Sequence, residues 1–105
     1  MTETITGFAS AVAGSRRLAM LRALIEAEGT ANESVIKTCL QSLGFGGRQL
    51  GDIRSDIDHL ERAGMVRTSW YEGRVMVAAI TARGVAYTRR EVEPVPGIDY
   101  PSIGG

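Results

Sequence analysis

The chain has 105 residues, enough for one compact core and too few for two independent ones. Hydrophobic residues make up 44% and charged residues 23%, a balance that excludes a disordered or membrane-embedded chain. Lys plus Arg number 12 and Asp plus Glu number 12, so the formal net charge is zero and any affinity for nucleic acid must come from a local patch.

Cys39 is the single cysteine, which excludes an internal disulfide and a multi-cysteine metal site and fits a reducing compartment. Near the N-terminus, Glu3 stands where a signal peptide wants positive charge, and Arg16 and Arg17 follow the apolar stretch instead of preceding it. No run approaches the roughly 18 apolar residues of a membrane helix. The expectation is a cytoplasmic protein with no membrane association.

In chain order, Thr2 to Val12 places Ile5, Phe8 and Val12 at helix-like spacing, a surface suited to packing against a second subunit. Residues 1–14 are thus read as an N-terminal, dimerising segment. Ser15 is the expected N-cap of a first core helix that carries Leu18, Leu21, Leu24 and Ile25 at helical spacing, with Gly29 supplying the left-handed stop. Thr30-Ala31-Asn32-Glu33 fits a capping box and predicts a second helix over about 31–43, with Ile36, Cys39, Leu40 and Leu43 as its apolar stripe. Gly44 and Phe45 signal its end. A third helix is predicted over Gln49 to Ala63, with Leu50, Ile53, Ile57 and Leu60 on one face and Gly64-Met65 as the stop.

From Met65 to Ile80 the pattern turns to β-formers, Val66, Thr68, Trp70 and Tyr71, then Val75, Val77 and Ile80. Glu72-Gly73 between them predicts a hairpin with a two-residue turn. Thr81 then caps a last short helix to Tyr87, weakened by Gly84. Pro94, Pro96 and Pro101 with the nearby glycines make residues 91–105 an extended tail. The core domain is therefore residues 15–90.

Three helices, a glycine-bearing turn between the second and third, and a hairpin directly after the third describe an α+β, winged helix-turn-helix fold: a three-helix core, a two-stranded wing and a short C-terminal helix. Leu60-Glu61-Arg62-Ala63-Gly64-Met65-Val66 resembles the end of the recognition helix and the first wing strand in bacterial winged-helix regulators of the MarR and ArsR type. Ile80-Thr81-Ala82-Arg83-Gly84 resembles the step where their second wing strand meets a final helix. Ala31-Asn32-Glu33-Ser34, Ile53-Arg54-Ser55-Asp56-Ile57, Val77 to Gly84 and Val95-Pro96-Gly97-Ile98 are together similar to small ArsR-like winged-helix proteins encoded by Mu-like prophages. That group usually shows a Ser at the start of the third helix, where Gln49 stands here. The resemblance implies DNA binding, transcription regulation and a homodimer.

In such folds the early residues of the third helix face base edges and the wing touches the neighbouring backbone. Arg48, Gln49, Arg54 and Ser55 are accordingly the candidate DNA-binding residues of this helix, Arg54 as a fork to guanine, Gln49 as a reader of adenine and Ser55 as a phosphate contact. Arg67 and Arg74 on the wing are candidate phosphate contacts. The alternative is a solvated helix face on which Arg48/Asp52, Arg54/Asp58 and Asp58/Arg62 pair with one another. Arg16, Arg17 and Arg22 form one local basic cluster and Arg89 and Arg90 another, suited either to phosphates or to solubility. Trp70 and Tyr71 either pack across the hairpin or present a hot spot to a protein partner. Cys39 reads as a small core residue, and no third group orients a Cys39-His59 dyad, so nothing resembles the site of an enzyme. Asp52 and Asp56 are too few for a cation site, and no cofactor, metal or small-molecule substrate is implied. Two functions follow: a regulator that binds double-stranded DNA, or a winged-helix protein-protein interaction module serving as a phage accessory factor.

Overall fold

In the computed structural model the backbone is described over residues 2–103 and the side chains over residues 7–103. The order of elements is α1 (Thr2–Glu26), β1 (Thr30–Asn32), α2 (Glu33–Ser42), α3 (Leu50–Arg62), β2 (Val66–Tyr71), β3 (Val75–Ile80) and α4 (Ala82–Thr88). The three strands form one antiparallel sheet in the order β1-β3-β2, so the fold is α+β with four helices and three strands among the described residues.

The first helix is one continuous element that passes through Ser15, which is therefore not an N-cap. With helical backbone on both sides of it, the Ser15 hydroxyl is free to donate to Asp99 at 2.7 Å instead. α1 touches α2, α3, α4, β1 and β3, and this central position widens its buried face beyond a single stripe. Met20 is buried beside Leu18, Leu21 and Leu24, whereas Ile25, expected on the stripe, is exposed. The left-handed residue that ends the helix is Glu28, at φ 64°, one position before the expected Gly29. The Glu28 amide donates to the Ile25 carbonyl and the Gly29 amide to that of Leu24, which completes a Schellman stop.

Thr30 to Asn32, expected inside a helical cap, add a third strand to the hairpin. Thr30 pairs with Ala79, Ala31 with Ala78 and Asn32 with Val77. The helix that follows is capped by Asn32, whose side chain accepts the Val35 amide at 2.9 Å. Ile36 and Leu40 of its predicted stripe are buried, Cys39 is half-buried and Leu43 is exposed at the C-cap. In α3 three of the four residues expected on the apolar face, Ile53, Ile57 and Leu60, are buried, whereas Leu50, in the first turn, is exposed; Met65 N–H closes a Schellman stop on the Leu60 carbonyl. Three residues, Glu72 to Arg74, join β2 to β3, one more than expected, because Tyr71 pairs with Val75.

The close fit of α4 against the end of α3 turns on Gly84. The Thr81 hydroxyl donates to the Gly64 carbonyl, its amide donates to Met65 O at 3.0 Å, and its oxygen accepts Gly84 N–H. A Cβ on Gly84 would lie 2.3 Å from that same Met65 oxygen. Only glycine lets the two backbones approach so closely.

Beyond α4 the chain has no regular secondary structure but packs back on the helices. Ile98 and Pro101 are buried. Tyr87, fully buried, donates its hydroxyl to the Ile98 carbonyl at 2.8 Å and accepts the Val95 amide. Tyr87 and Tyr100 meet edge to face with ring centroids 5.4 Å apart. Asp99 N–H reaches the Gly14 carbonyl, so the segment spans from α4 to the middle of α1.

Helix α3 is fixed to α1 by a buried carboxylate. Asp56, 2% exposed, accepts Nε and Nη2 of Arg16 and Nε of Arg17, the last at 3.0 Å. Arg17 also donates to the Gly97 carbonyl at 2.9 Å, which brings the C-terminal segment into the same junction. A carboxylate out of water is tolerable only with such donors around it.

Two outcomes follow for stability, both read by urea unfolding at neutral pH. Asp56→Ala leaves the buried Arg16 without its acceptor and should cost about 3–5 kcal/mol. Gly84→Ala should cost about 1–3 kcal/mol by overpacking, while Gly51→Ala, where a Cβ meets nothing within 4 Å, should be neutral or stabilising.

Candidate nucleic-acid interface

The face in question is built by the N-terminal half of α3, the turn before it and the hairpin. Gln49 is the N-cap of α3, and its amide donates to the Asp52 carboxylate at 3.0 Å. Asp52 therefore serves the helix start and forms no ion pair with Arg48. Gln49 and Ser55 are exposed and Arg48 is half-buried. Arg67 and Arg74 are exposed, the first on β2 and the second in the hairpin turn.

Arg54 is placed differently from its neighbours. Its Nε donates to Glu33 Oε1 at 2.6 Å and its Nη2 to Glu33 Oε2 at 3.0 Å, a two-point fork of the kind that gives the strong arginine-carboxylate pairs. The guanidinium also lies 5.0 Å from the centroid of the Trp70 ring, within cation-π range. The exposed i, i+4 pairing with Asp58 does not form, since a buried two-point partner wins over a solvated one-point partner. Asp58 bonds Arg62 instead.

Glu33, read in the sequence as the far end of a capping box, is 2% exposed and points inward. It stands where β1 ends and α2 begins, and its Oε2 accepts the Met76 amide at 2.7 Å. Asn32 is the last β1 residue paired with β3, so the carboxylate takes over at the next position of the ladder. The Arg54 fork holds the Glu33 carboxyl below the usual carboxylate range; burial pushes the other way, and the Met76 amide adds to the lowering. The same fork raises Arg54 above its ordinary value.

The edge of β2 is also occupied by a side chain from α3. Glu61 accepts both the amide and the hydroxyl of Thr68 at 3.0 and 2.9 Å. This ties the hairpin to α3 and blocks part of an edge that would otherwise be open to another strand.

Trp70 pairs with Met76 and Tyr71 with Val75, so the two aromatics lie on opposite faces of the hairpin. Trp70 is on the face that carries Val66 and Thr68, towards Arg54, and Tyr71 is 64% exposed on the other. They are not a cross-strand pair with each other.

Of the basic clusters, Arg16 and Arg17 are committed to Asp56, while Arg90 lies over the Tyr100 ring at 4.5 Å and donates to Pro101 O. Arg22 and Arg89 remain exposed. Cys39 lines an open groove of about 540 Å³ between α1 and the end of α2, together with Ala19, Arg22 and Phe45. His59 lies elsewhere, with Nε2 3.3 Å from the Pro96 carbonyl. Among the described residues no group of three or more His, Cys, Asp or Glu side chains is placed to hold a metal ion, and no helix is long and apolar enough to cross a membrane.

Sequence reasoning missed Glu33, the acid that organises this face, and Asp56, which fixes the opposite side of α3 to α1. The only local signal for Asp56 is its place beside Ile57 at the edge of the apolar stripe. Comparison of the chain with known protein families, curated proteins and solved structures finds no match.

The Glu33 pairing has a pH signature. Folded Glu33 binds its proton more weakly than the unfolded carboxyl, whose ordinary value is 4.5. Its stabilisation is therefore complete above that value and is lost as pH falls through the lower folded value. In urea titrations, the gap in midpoint between wild type and Glu33→Gln should be widest at neutral pH and close toward acid; a gap independent of pH would contradict the pairing.

Proposed function

We propose that the chain is a winged helix-turn-helix protein that binds double-stranded DNA as a transcription regulator, with α3 in the major groove and the hairpin against the adjacent backbone. The observation that carries this reading is the hairpin's attachment to α3: Glu33-Arg54-Trp70 at one end and Glu61-Thr68 at the other hold helix and wing as one surface. On that surface Gln49 and Ser55 are exposed, within reach of base edges. Arg48, Arg67 and Arg74 form no ion pair within the described residues, which leaves them for phosphates. The zero net charge is compatible with this, because Asp56, Glu33 and Glu61 are consumed by internal bonds and do not face a ligand. A two-fold pair belongs to the same reading. Phe8, 72% exposed on the N-terminal half of α1, is surface for a second copy, while the side chain of Ile5 lies outside the described residues.

The prophage resemblance supports the same fold and function, and the order α1-β1-α2-α3-β2-β3-α4 fits it with one strand more than the two expected. A second reading, a protein-interaction module on the same fold, draws on Tyr71, which is 64% exposed. Tyr71→Ala separates the two, since it removes a partner contact without touching the Arg54 pair.

Retardation of duplex DNA should weaken steeply with salt, and Arg74→Ala should weaken it uniformly across sequences and lower the salt slope by about 1. No retardation at low salt would discard the DNA reading. Sedimentation that gives only monomer at micromolar concentration would discard the pair.

A further inference from the structure

Arg54 occupies the position where a recognition helix of this kind would offer a guanine fork, yet its guanidinium is directed at the hairpin. The Nε-Nη2 edge is taken by Glu33, Nη2 also reaches the Arg74 carbonyl at 3.4 Å, and the Trp70 ring lies against the group at 5.0 Å. Those partners come from the start of α2, the turn of the hairpin and β2. Glu33 in turn holds Met76 of β3. The guanidinium and the carboxylate are thus the shared corner of α2, α3 and both wing strands, and no other polar contact among the described residues joins Arg54 to anything else.

We infer that Arg54 is a positioning residue and not a base reader: together with Glu33 it sets the angle of the wing on α3. Gln49 and Ser55 then reach the base edges while Arg74, at the turn, reaches the backbone of the same duplex. This rests on the DNA-binding reading above. A side chain that reads one base carries the preference for that base pair alone. One that sets the relative placement of two contact elements affects every base position equally, and it does so through its partner, so that losing either member has the same effect as losing both.

The test uses the full chain and a pool of random duplexes, from which the wild type selects its preferred sequence. Arg54→Lys keeps the charge and loses the fork; Glu33→Gln keeps the shape and loses the charge. Both variants, and the double variant, should select the same sequence as the wild type. Each single variant should bind that duplex about tenfold more weakly, as expected for loss of a fixed charge-assisted pair, and the double variant no more weakly than either. Trp70 is the only tryptophan of the chain, and its emission in the free protein should change alike in all three, with far-UV dichroism unchanged.

Loss of one G·C preference in Arg54→Lys, with that preference kept in Glu33→Gln, would overturn the inference and make Arg54 a reader. Additive losses in the double variant would overturn it as well, and unchanged Trp70 emission would show that no clamp holds the wing. A wild type that retards no duplex would instead remove the DNA reading itself, an outcome separate from the emission result. Should Glu33→Gln fail to fold, Arg54→Gln takes its place beside Arg54→Lys, and loss of a single base preference in both counts against the inference.

Discussion

The carboxylate of Glu33 is the constraint on which the face formed by α3 and the hairpin depends. A charge removed from water in this way is costly unless donors surround it, and here they are the two arms of Arg54 and the amide of Met76. Because those donors belong to α3 and β3 while Glu33 begins α2, satisfying one side chain fixes three elements relative to one another. The strand β1 is part of the same solution. It delivers the chain to the point where the carboxylate can stand in for the next β1 backbone acceptor and take the Met76 amide of β3.

Arg54 and Asp56 lie two residues apart on α3, which at about 100° per residue places them on nearly opposite sides of the helix. One side is gripped by Glu33 and the hairpin, the other by Arg16 and Arg17 of α1. Between them Ile53 and Ile57 enter the core. The helix is therefore positioned by hydrophobic contact, which supplies the bulk of the free energy but little directional preference, and by two ion clusters that supply direction. The C-terminal segment completes the second cluster. Arg17 reaches from Asp56 to the Gly97 carbonyl, and a Cβ at Gly97 would lie 2.6 Å from His59, so the strap is fitted closely to α3.

How much of this was legible in the sequence depended on the range of the interaction. The Ile53-Ile57-Leu60 part of the α3 stripe and the Gly44 and Gly64 stops were legible because periodicity and Schellman bonding are set by residues within one or two turns. β1 was not. Three residues carry no period, and Thr30 to Glu33 satisfies the pattern of a capping box as well as it satisfies a short strand, until β3 is present to pair with it. The same ambiguity hid Glu33, since a Glu at that spacing has an evident local partner and its actual partner lies 21 residues away. The proline-bearing C-terminal segment looked like a free tail because its anchors are distant: Tyr87 on α4, Gly14 and Arg17 on α1.

The charge balance changes meaning once these pairs are drawn. Arg16, Arg17, Arg54 and Arg62 are bound to Asp56, Glu33 and Asp58, so part of the formal neutrality of the chain is spent inside it. What faces outward near the start of α3 and the hairpin is Arg48, Arg67 and Arg74, set against Asp52, already engaged at the helix start, and Glu72 in the turn. A field of that size does not steer a polyanion from a distance. Contacts made by such a face act at short range, and short-range contact rewards a rigid relation between α3 and the hairpin more than it rewards total charge.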